Sequence, residues 1–565
     1  MGISNCRQWV ILIVVGRSIS NWQDTISLDD CYDGSLPLNR DYNICSRTAY
    51  DEVGRTHIVT DTVGRMNRTF YDELGRIKAS VSNWNPATLT SPANCVLSPT
   101  NENEENICTL YGYDSAGRQI TTTNALNQTS LTVYDAADRP VVSVSNWDGV
   151  TAFTQASDCI APPLLGTDVN VCTVSVYDTL GRSTRSIDAL GHFTDYEYDG
   201  LGRVVTTTRY LANGTPVSSV SHYGERGQQY AHTDAEGHTS KSVFDDLGRV
   251  TTSITPMGIA STQTYDDAGQ VVASTNALGY INASLYDDLG RLLVSTNPLT
   301  HTTSYQYDSL GNQETVTDAE GVVTRYEYDG LNRQTAVIEN WDGVASCQPG
   351  TGSPDTNVCT QYTYDAIGNQ ITTVNALGVT AKTTTYDTLN RVIVEEDALD
   401  NPTYTQYNAL GYRTVMTDAN EAVTRYTYDG LNRLQEVVYE ADGETVTYAY
   451  DALGNRTAMT DSLGMTNYEY DTLSRLITAT SPLTGTVIYG YDLVGNQTSL
   501  TYPGGKVITT TYNADGQEVT VTDWEGGVTT YTYDAAGRLA TTTLPNGVQT
   551  TNDYDPANRL TGISH

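Results

Sequence analysis

Four phenylalanines and six methionines in 565 residues are too few for a dry core of ordinary depth, and the forty tyrosines set against them do not fill the same role. A buried phenol needs a partner or water for its hydroxyl. Positive charge is also scarce. The 31 Lys and Arg face 67 Asp and Glu, for a net charge of −36 and a pI near 4.3. The basic residues are scattered, so the field around the chain repels nucleic acid and anionic membranes, and neither is expected as a partner. Long apolar runs are missing. Trp9–Gly16 is the one apolar stretch of note, long enough for the hydrophobic part of a signal peptide but too short to span a membrane as a helix. No 3.6-residue apolar stripe appears, so helix content should be very low. The seven histidines (His57, His192, His222, His232, His238, His301 and His565) share no common spacing, and the chain has no HExxH, GxSxG or phosphate-loop motif. Catalytic chemistry therefore has no constellation to stand on.

What the chain has in abundance is a tyrosine-aspartate dyad. It occurs as Tyr71-Asp72-Glu73-Leu74-Gly75-Arg76, as Tyr286-Asp287-Asp288-Leu289-Gly290-Arg291 and as Tyr533-Asp534-Ala535-Ala536-Gly537-Arg538, and it returns 22 times, mostly 21 residues apart. Some copies are degenerate, as at Tyr223-Gly224, Phe244, Tyr407-Asn408 and Tyr512-Asn513. A fixed period of this length means stacked supersecondary units, each covering its neighbour. Within a period, segments such as Leu292–Thr296 and Thr302–Tyr307 are rich in Thr, Val and Tyr and are bounded by Asp- or Asn-initiated turns that reach Gly three residues later. Each period thus reads as two strands and two turns. The dyad Asp opens a turn, and Arg four residues on should pair with it or with a neighbouring turn's carboxylate. Alternation puts Thr324, Tyr326 and Tyr328 on one face, which predicts ladders of stacked tyrosine rings. A role needed 22 times is structural.

Three wider intervals break the period, at 71–113, 134–177 and 328–364, and a fourth copy of the same insertion precedes the first dyad. Each opens with Asn-Trp and holds two cysteines: Cys31 and Cys45, Cys95 and Cys108, Cys159 and Cys172, Cys347 and Cys359. Recurrence of a pair inside one insertion favours local disulfides over other connectivities, and no CxxC spacing or adjacent His supports a metal site. Paired cysteines imply an oxidising compartment, so the chain is expected to be secreted, extracellular or at the cell surface. The expected organisation is an apolar segment over 1–17, either signal-like or a degenerate repeat, followed by a continuous array over 18–565 with insertions at about 22–49, 84–112, 147–176 and 341–363. No cofactor is expected, although the Asp-rich turns leave room for weak Ca²⁺ binding.

The recurring Tyr-Asp-x-Leu-Gly-Arg motif resembles the YD repeats of the Rhs family, which are also found in toxin-complex components and teneurins. The resemblance covers about 46–565. It implies an all-β solenoid or spiral of consecutive hairpins curling into a hollow tube or shell, which in several family members encloses a C-terminal toxin released by self-cleavage at an Asp-Pro-x-Gly type motif. Asp555-Pro556-Ala557-Asn558 is a repeat variant and not that motif. No cleavage site is therefore carried over onto these residues. Three readings follow. The first is a non-enzymatic extracellular scaffold that associates end to end into fibres or tubes, or with other surface proteins. The second is the shell portion of an Rhs-type toxin or toxin-complex protein around an encapsulated polypeptide. The third is an adhesin that binds glycans on tyrosine faces.

Overall fold

A computed structural model describes residues 17–20, 44–159, 168–344, 346–350 and 355–565. They form 45 strands belonging to one antiparallel sheet, with two short 3₁₀ turns at Pro92–Asn94 and Ala156–Cys159 and no α-helix among the described residues. The chain is an all-β succession of hairpins. Ile281–Tyr286 pairs with Leu292–Thr296, which pairs in turn with Thr302–Tyr307.

The local chemistry explains why the strands stop where they do. In the turn at Asp287, the Gly290 amide donates to Asp287 O at 2.9 Å and the Asp287 amide to Arg291 O at 2.9 Å, with Gly290 at φ 84°. This is a type I turn followed by a left-handed residue, a connection whose twist suits antiparallel neighbours. Where Gly is absent, short polar residues usually take the left-handed position, as Asn332, Asn390 and Asn432 do at φ 62–64°. The turns at the opposite end of the hairpins follow the same rule, as at Asp318 and Gly321.

One asymmetry separates the two rows of turns. At the tyrosine end the register slips by one residue, so that Leu285 faces Val294 but Tyr286 faces Leu292, and the same slip recurs at Glu327/Tyr328 and Thr532/Tyr533. At the other end Thr296 faces Thr302 with no slip. A bulge bends its strand and raises the local twist. We call the bulged row of turns the tyrosine edge and the other the far edge.

The chain divides into two compact units, one of residues 1–132, 144–151 and 306–445, the other of 133–143, 152–305 and 446–565. Within each, late repeats lie edge to edge with early ones. In the first unit Gln128 and Asn432 exchange side-chain amide hydrogen bonds at 2.9 Å, and the Ala409 amide donates to Asn101 O at 2.7 Å. Ala125, Leu126 and Ala409 are buried together there. In the second unit Thr472 Oγ1 donates to Tyr210 O at 2.7 Å. In both, tyrosine-edge turns of the late repeats meet far-edge turns of the early ones.

Apolar burial is uneven. It gathers at the insertions, where Val81, Trp84, Leu89 and Cys108 pack together and Ala336, Ile338, Cys347 and Cys359 form a second cluster. Between residues 190 and 335 the one buried apolar residue is Ala231, and beyond Val437 there is none. Both faces of the regular repeats are half exposed.

Candidate functional site

The repeated chemistry lies at the tyrosine edge. Asp72 Oδ1 accepts from the Leu74 amide at 3.0 Å and the Arg76 amide at 2.9 Å, while Oδ2 accepts from Arg76 Nε at 2.8 Å. Asp287 does the same with Leu289 and Arg291, and Asp534 with Ala536 and Arg538. The backbone N–H of Arg76 and its guanidinium hold the Asp72 carboxyl below its ordinary value against an opposing effect of burial. The Arg291 backbone N–H leads the same downward shift at Asp287. Gly75, Gly290 and Gly537 sit at φ 83°, 84° and 78°, where a side chain would be strained.

The tyrosine and arginine look outward to the neighbouring repeat. Tyr71 Oη donates to Thr56 O at 2.8 Å, Tyr286 Oη to Val271 O at 3.1 Å and Tyr533 Oη to Glu518 O at 2.8 Å, each reaching the first residues of the strand before its own. The arginine of one repeat covers the ring of the next. The Arg55 guanidinium lies 4.2 Å from the Tyr71 centroid, Arg76 lies 4.4 Å from Tyr113, and Arg538 lies 4.6 Å from Tyr554. Arg249 Nη1 also donates to Asp266 O at 3.1 Å and Arg538 Nη1 to Asp555 O at 3.3 Å. One guanidinium therefore ties its own turn carboxylate, the next ring and the next turn's carbonyl together.

One expectation changes in detail. The guanidinium fills the place that a neighbouring phenol was expected to take in the ladder, because a planar cation satisfies the ring face and the carboxylate together. Of the two pairings expected of Arg, the structure shows the one with its own turn's Asp, and the next turn is reached through a backbone carbonyl. The periodic Arg four residues after each Asp was the available signal for both, but its reach across about 16 residues to the next ring is not written in the motif.

The insertions place their cysteines together. Cys95 and Cys108 are disulfide-bonded with Cα atoms 6.0 Å apart, Cys159 and Cys172 with 5.7 Å, and Cys347 and Cys359 with 5.4 Å. Cys31 and the Cys45 side chain lie outside the described residues, as does the apolar run Trp9–Gly16. Trp84 Nε1 donates to Leu89 O at 2.7 Å, and Trp147 Nε1 to Thr151 O at 2.8 Å, so each tryptophan closes its own loop. Asn83, Asn146 and Asn340 adopt φ 47–48° before their tryptophans, which explains why Asn precedes Trp in each copy.

The first unit holds a cleft of about 210 Å³ lined by Glu102, Glu104, Asp387, Arg391 and Tyr407. Asp387 pairs with Arg391 at 2.5 Å, and Glu104 accepts from Thr388 Oγ1 at 3.0 Å. Among the described residues no three His, Cys, Asp or Glu side chains are placed to hold a metal ion, and no helix is long and apolar enough to cross a membrane.

The RHS Repeat family profile matches residues 177–216, 244–281, 286–321, 314–345, 428–466, 470–507, 512–551 and 533–565. No curated protein matches by sequence. Among solved structures, the Photorhabdus luminescens Tc holotoxin pore is 15% identical over 92% of this chain and 37% of its own, with a TM-score of 0.47. The TcdB2-TccC3 complex is 15% identical over 92% and 36% at 0.48, and TcdB2-TccC3 without its hypervariable C-terminal region is 17% identical over 94% and 31% at 0.48. The chain thus spans about a third of the length of these structures' chains. With the motif bonded from repeat to repeat and the family profile matching along the array, the chain belongs to the RHS, or YD-repeat, family.

Proposed function

We propose that the chain is a non-enzymatic wall, the RHS portion of an assembly that encloses a polypeptide outside the cytosol. The observation that carries this reading is the edge-to-edge docking inside each unit, where tyrosine-edge turns of late repeats seat on far-edge turns of early ones. A lone strip of hairpins presents two open rows of turns, whereas docked strips form a continuous surface. The motif supports the same role, because its carboxylate, guanidinium, ring and hydroxyl are engaged within the sheet in copy after copy. Solved structures with a similar course of chain are Tc toxin components, which fits a container wall. The cysteine-bearing insertions fit an oxidising compartment.

The test is purification of the natural gene product under oxidising conditions, followed by protease challenge and electron microscopy. Closed particles holding a protease-resistant polypeptide are expected, with that polypeptide becoming sensitive once the wall is unfolded. Filaments without internal density, or particles whose whole content is cleaved as fast as free polypeptide, would overturn the enclosing role.

A further inference from the structure

The tyrosine edge exists in two conditions within the unit of residues 152–305 and 446–565. Its late turns are docked. Thr472 Oγ1 donates to Tyr210 O at 2.7 Å, the Leu493 amide donates to Glu236 Oε1 at 3.2 Å, and Asp515 accepts from Thr255 Oγ1 at 2.7 Å and the Met257 amide at 2.9 Å. Its early turns are bare. Leu180, Leu201, Leu247 and Leu289, which hold the third position of their turns, are each more than three-quarters exposed.

The second position of the turn is uncharged in the docked turns, whereas along the bare row it is Thr179 and Gly200 in the first two turns and acidic in the next four. In the docked turns it is Thr472, Leu493 and Ala514. In four consecutive bare turns it is Glu225, Asp246, Asp267 and Asp288. The Asp246 side chain is 99% exposed, with Arg226 Nη2 reaching it at 3.3 Å. The other unit repeats the contrast. Exposed Val53 and Leu74 follow Glu52 and Glu73, whereas its docked turns carry Thr388, Ala409 and Gly430. Acidic residues are thus found at turn tips that nothing covers.

The same unit also has a bare far edge, over the turns at 461–548, with Leu463, Leu483, Tyr502, Trp524 and Leu544 all exposed. A far edge is what covers the docked tyrosine-edge turns. We propose that the bare tyrosine edge of 178–290 is a docking surface for the bare far edge of 461–548 in a second copy of this chain, and that Glu225, Asp246, Asp267 and Asp288 hold that surface empty. The partner is of known kind, since the pairing already exists within one chain. Its exposed leucines and aromatics supply apolar area for the leucine row. Such a contact joins unlike patches and can continue from copy to copy. Opposing it, the row of carboxylates loses water on approach to a chain of net charge −36, whose far-edge tips include Glu525. Charged gatekeepers are a common way to keep a strand or turn edge from joining another.

Sedimentation velocity of the full chain tests this at 50 mM salt. The wild type is expected to sediment as a monomer, and the Asp246→Ala/Asp267→Ala/Asp288→Ala variant to form dimers and longer head-to-tail species at a concentration at least tenfold lower than any at which the wild type associates. Adding Leu247→Asp and Leu289→Asp to that variant should restore the monomer. These side chains project from turn tips and make none of the turn's closing bonds, so circular dichroism should be unchanged. A neutralised variant that stays monomeric overturns the docking surface. Association that survives the two leucine substitutions places it elsewhere and overturns the proposal as well. A wild type already associated at 50 mM salt overturns the guarding role.

Discussion

The insertion-bearing repeats and the regular repeats obey one turn geometry but are held together differently. Around Val81 and Ile338 a loop folds back over one face of the sheet, and Trp84, Leu89 and a cysteine pair give that face a core. Around Tyr265 and Tyr286 nothing covers either face, and neighbouring repeats are coupled by an arginine, a ring and two carbonyls. A sheet without a second layer can therefore be stabilised by polar contacts between nearest neighbours, with apolar cores added only where loops supply them. In such an array, stability is close to a sum of repeat and interface contributions, so a substitution is felt locally. Hydrogen exchange resolved by segment is the fitting measurement, because a single unfolding transition is not assured.

The largest expected effect breaks the insertion core. Trp84→Ala removes a nearly buried indole, its hydrogen bond to Leu89 O and its cation contact with Arg68, and should lower protection over 77–113 by about 4 kcal/mol. Protection over 286–321 should not change, and an equal loss there would mean that the two regions are not independent. Next comes the Cys95→Ser/Cys108→Ser pair. With the joined positions 13 apart in sequence, removal of the bond should cost about 3 kcal/mol in the same segment. A segment as protected as the wild type would show that packing alone holds the loop.

Asp287→Ala carries the comparison to the regular repeats. It takes the acceptor from the Leu289 and Arg291 amides and from Arg291 Nε, and should lower protection over 281–296 by less than either insertion variant does over 77–113. The released guanidinium spreads part of that loss into the following repeat. An effect confined to one turn would deny the coupling.

How much of this was legible in the sequence follows from how far each contact reaches. The turn chemistry of Asp72 to Arg76 lies within five residues and could be read from residue types alone. Strand alternation and the pairing of Cys95 with Cys108 are nearly as local. The Arg76 to Tyr113 contact spans an insertion, so neither partner's neighbours in sequence reveal it. Edge-to-edge docking was not legible at all. Gln128 meets Asn432 across 304 residues, and neither differs in type from amides that face solvent elsewhere. Only the contrast between acidic and uncharged residues at the turn tips carries a trace of it, and that trace has meaning only once the docked turns are known.

The smallest effect per residue, and the one that separates the two regions without any substitution, is that of pH. The carboxyls of Asp72, Asp199, Asp287 and Asp555 are depressed, first by the backbone N–H of the arginine four residues on. A group with a lowered folded-state value contributes stability that is fully present above its unfolded value, near 3.8, and is lost as pH falls through the folded value. Tyr470, Tyr491, Tyr512 and Tyr533 are shifted upward by burial, so the folded chain keeps protons that the unfolded chain would release near pH 10, and stability falls as pH rises beyond that. The apolar side chains Val81, Leu89 and Ile338 do not titrate. Acidification below pH 4 should therefore open the regular repeats over 460–565 before the insertion cores at 77–113 and 334–364, whereas alkali above pH 10 acts on both regions, since burial also raises Tyr113 and Tyr364. Each carboxyl contributes modestly because it is solvent-accessible, but the same group recurs from turn to turn, which makes the summed pH response of the array steep. Insertion cores that lost protection at the same acid pH as the array would mean that the loops draw their stability from the turns beneath them and not from their own packing.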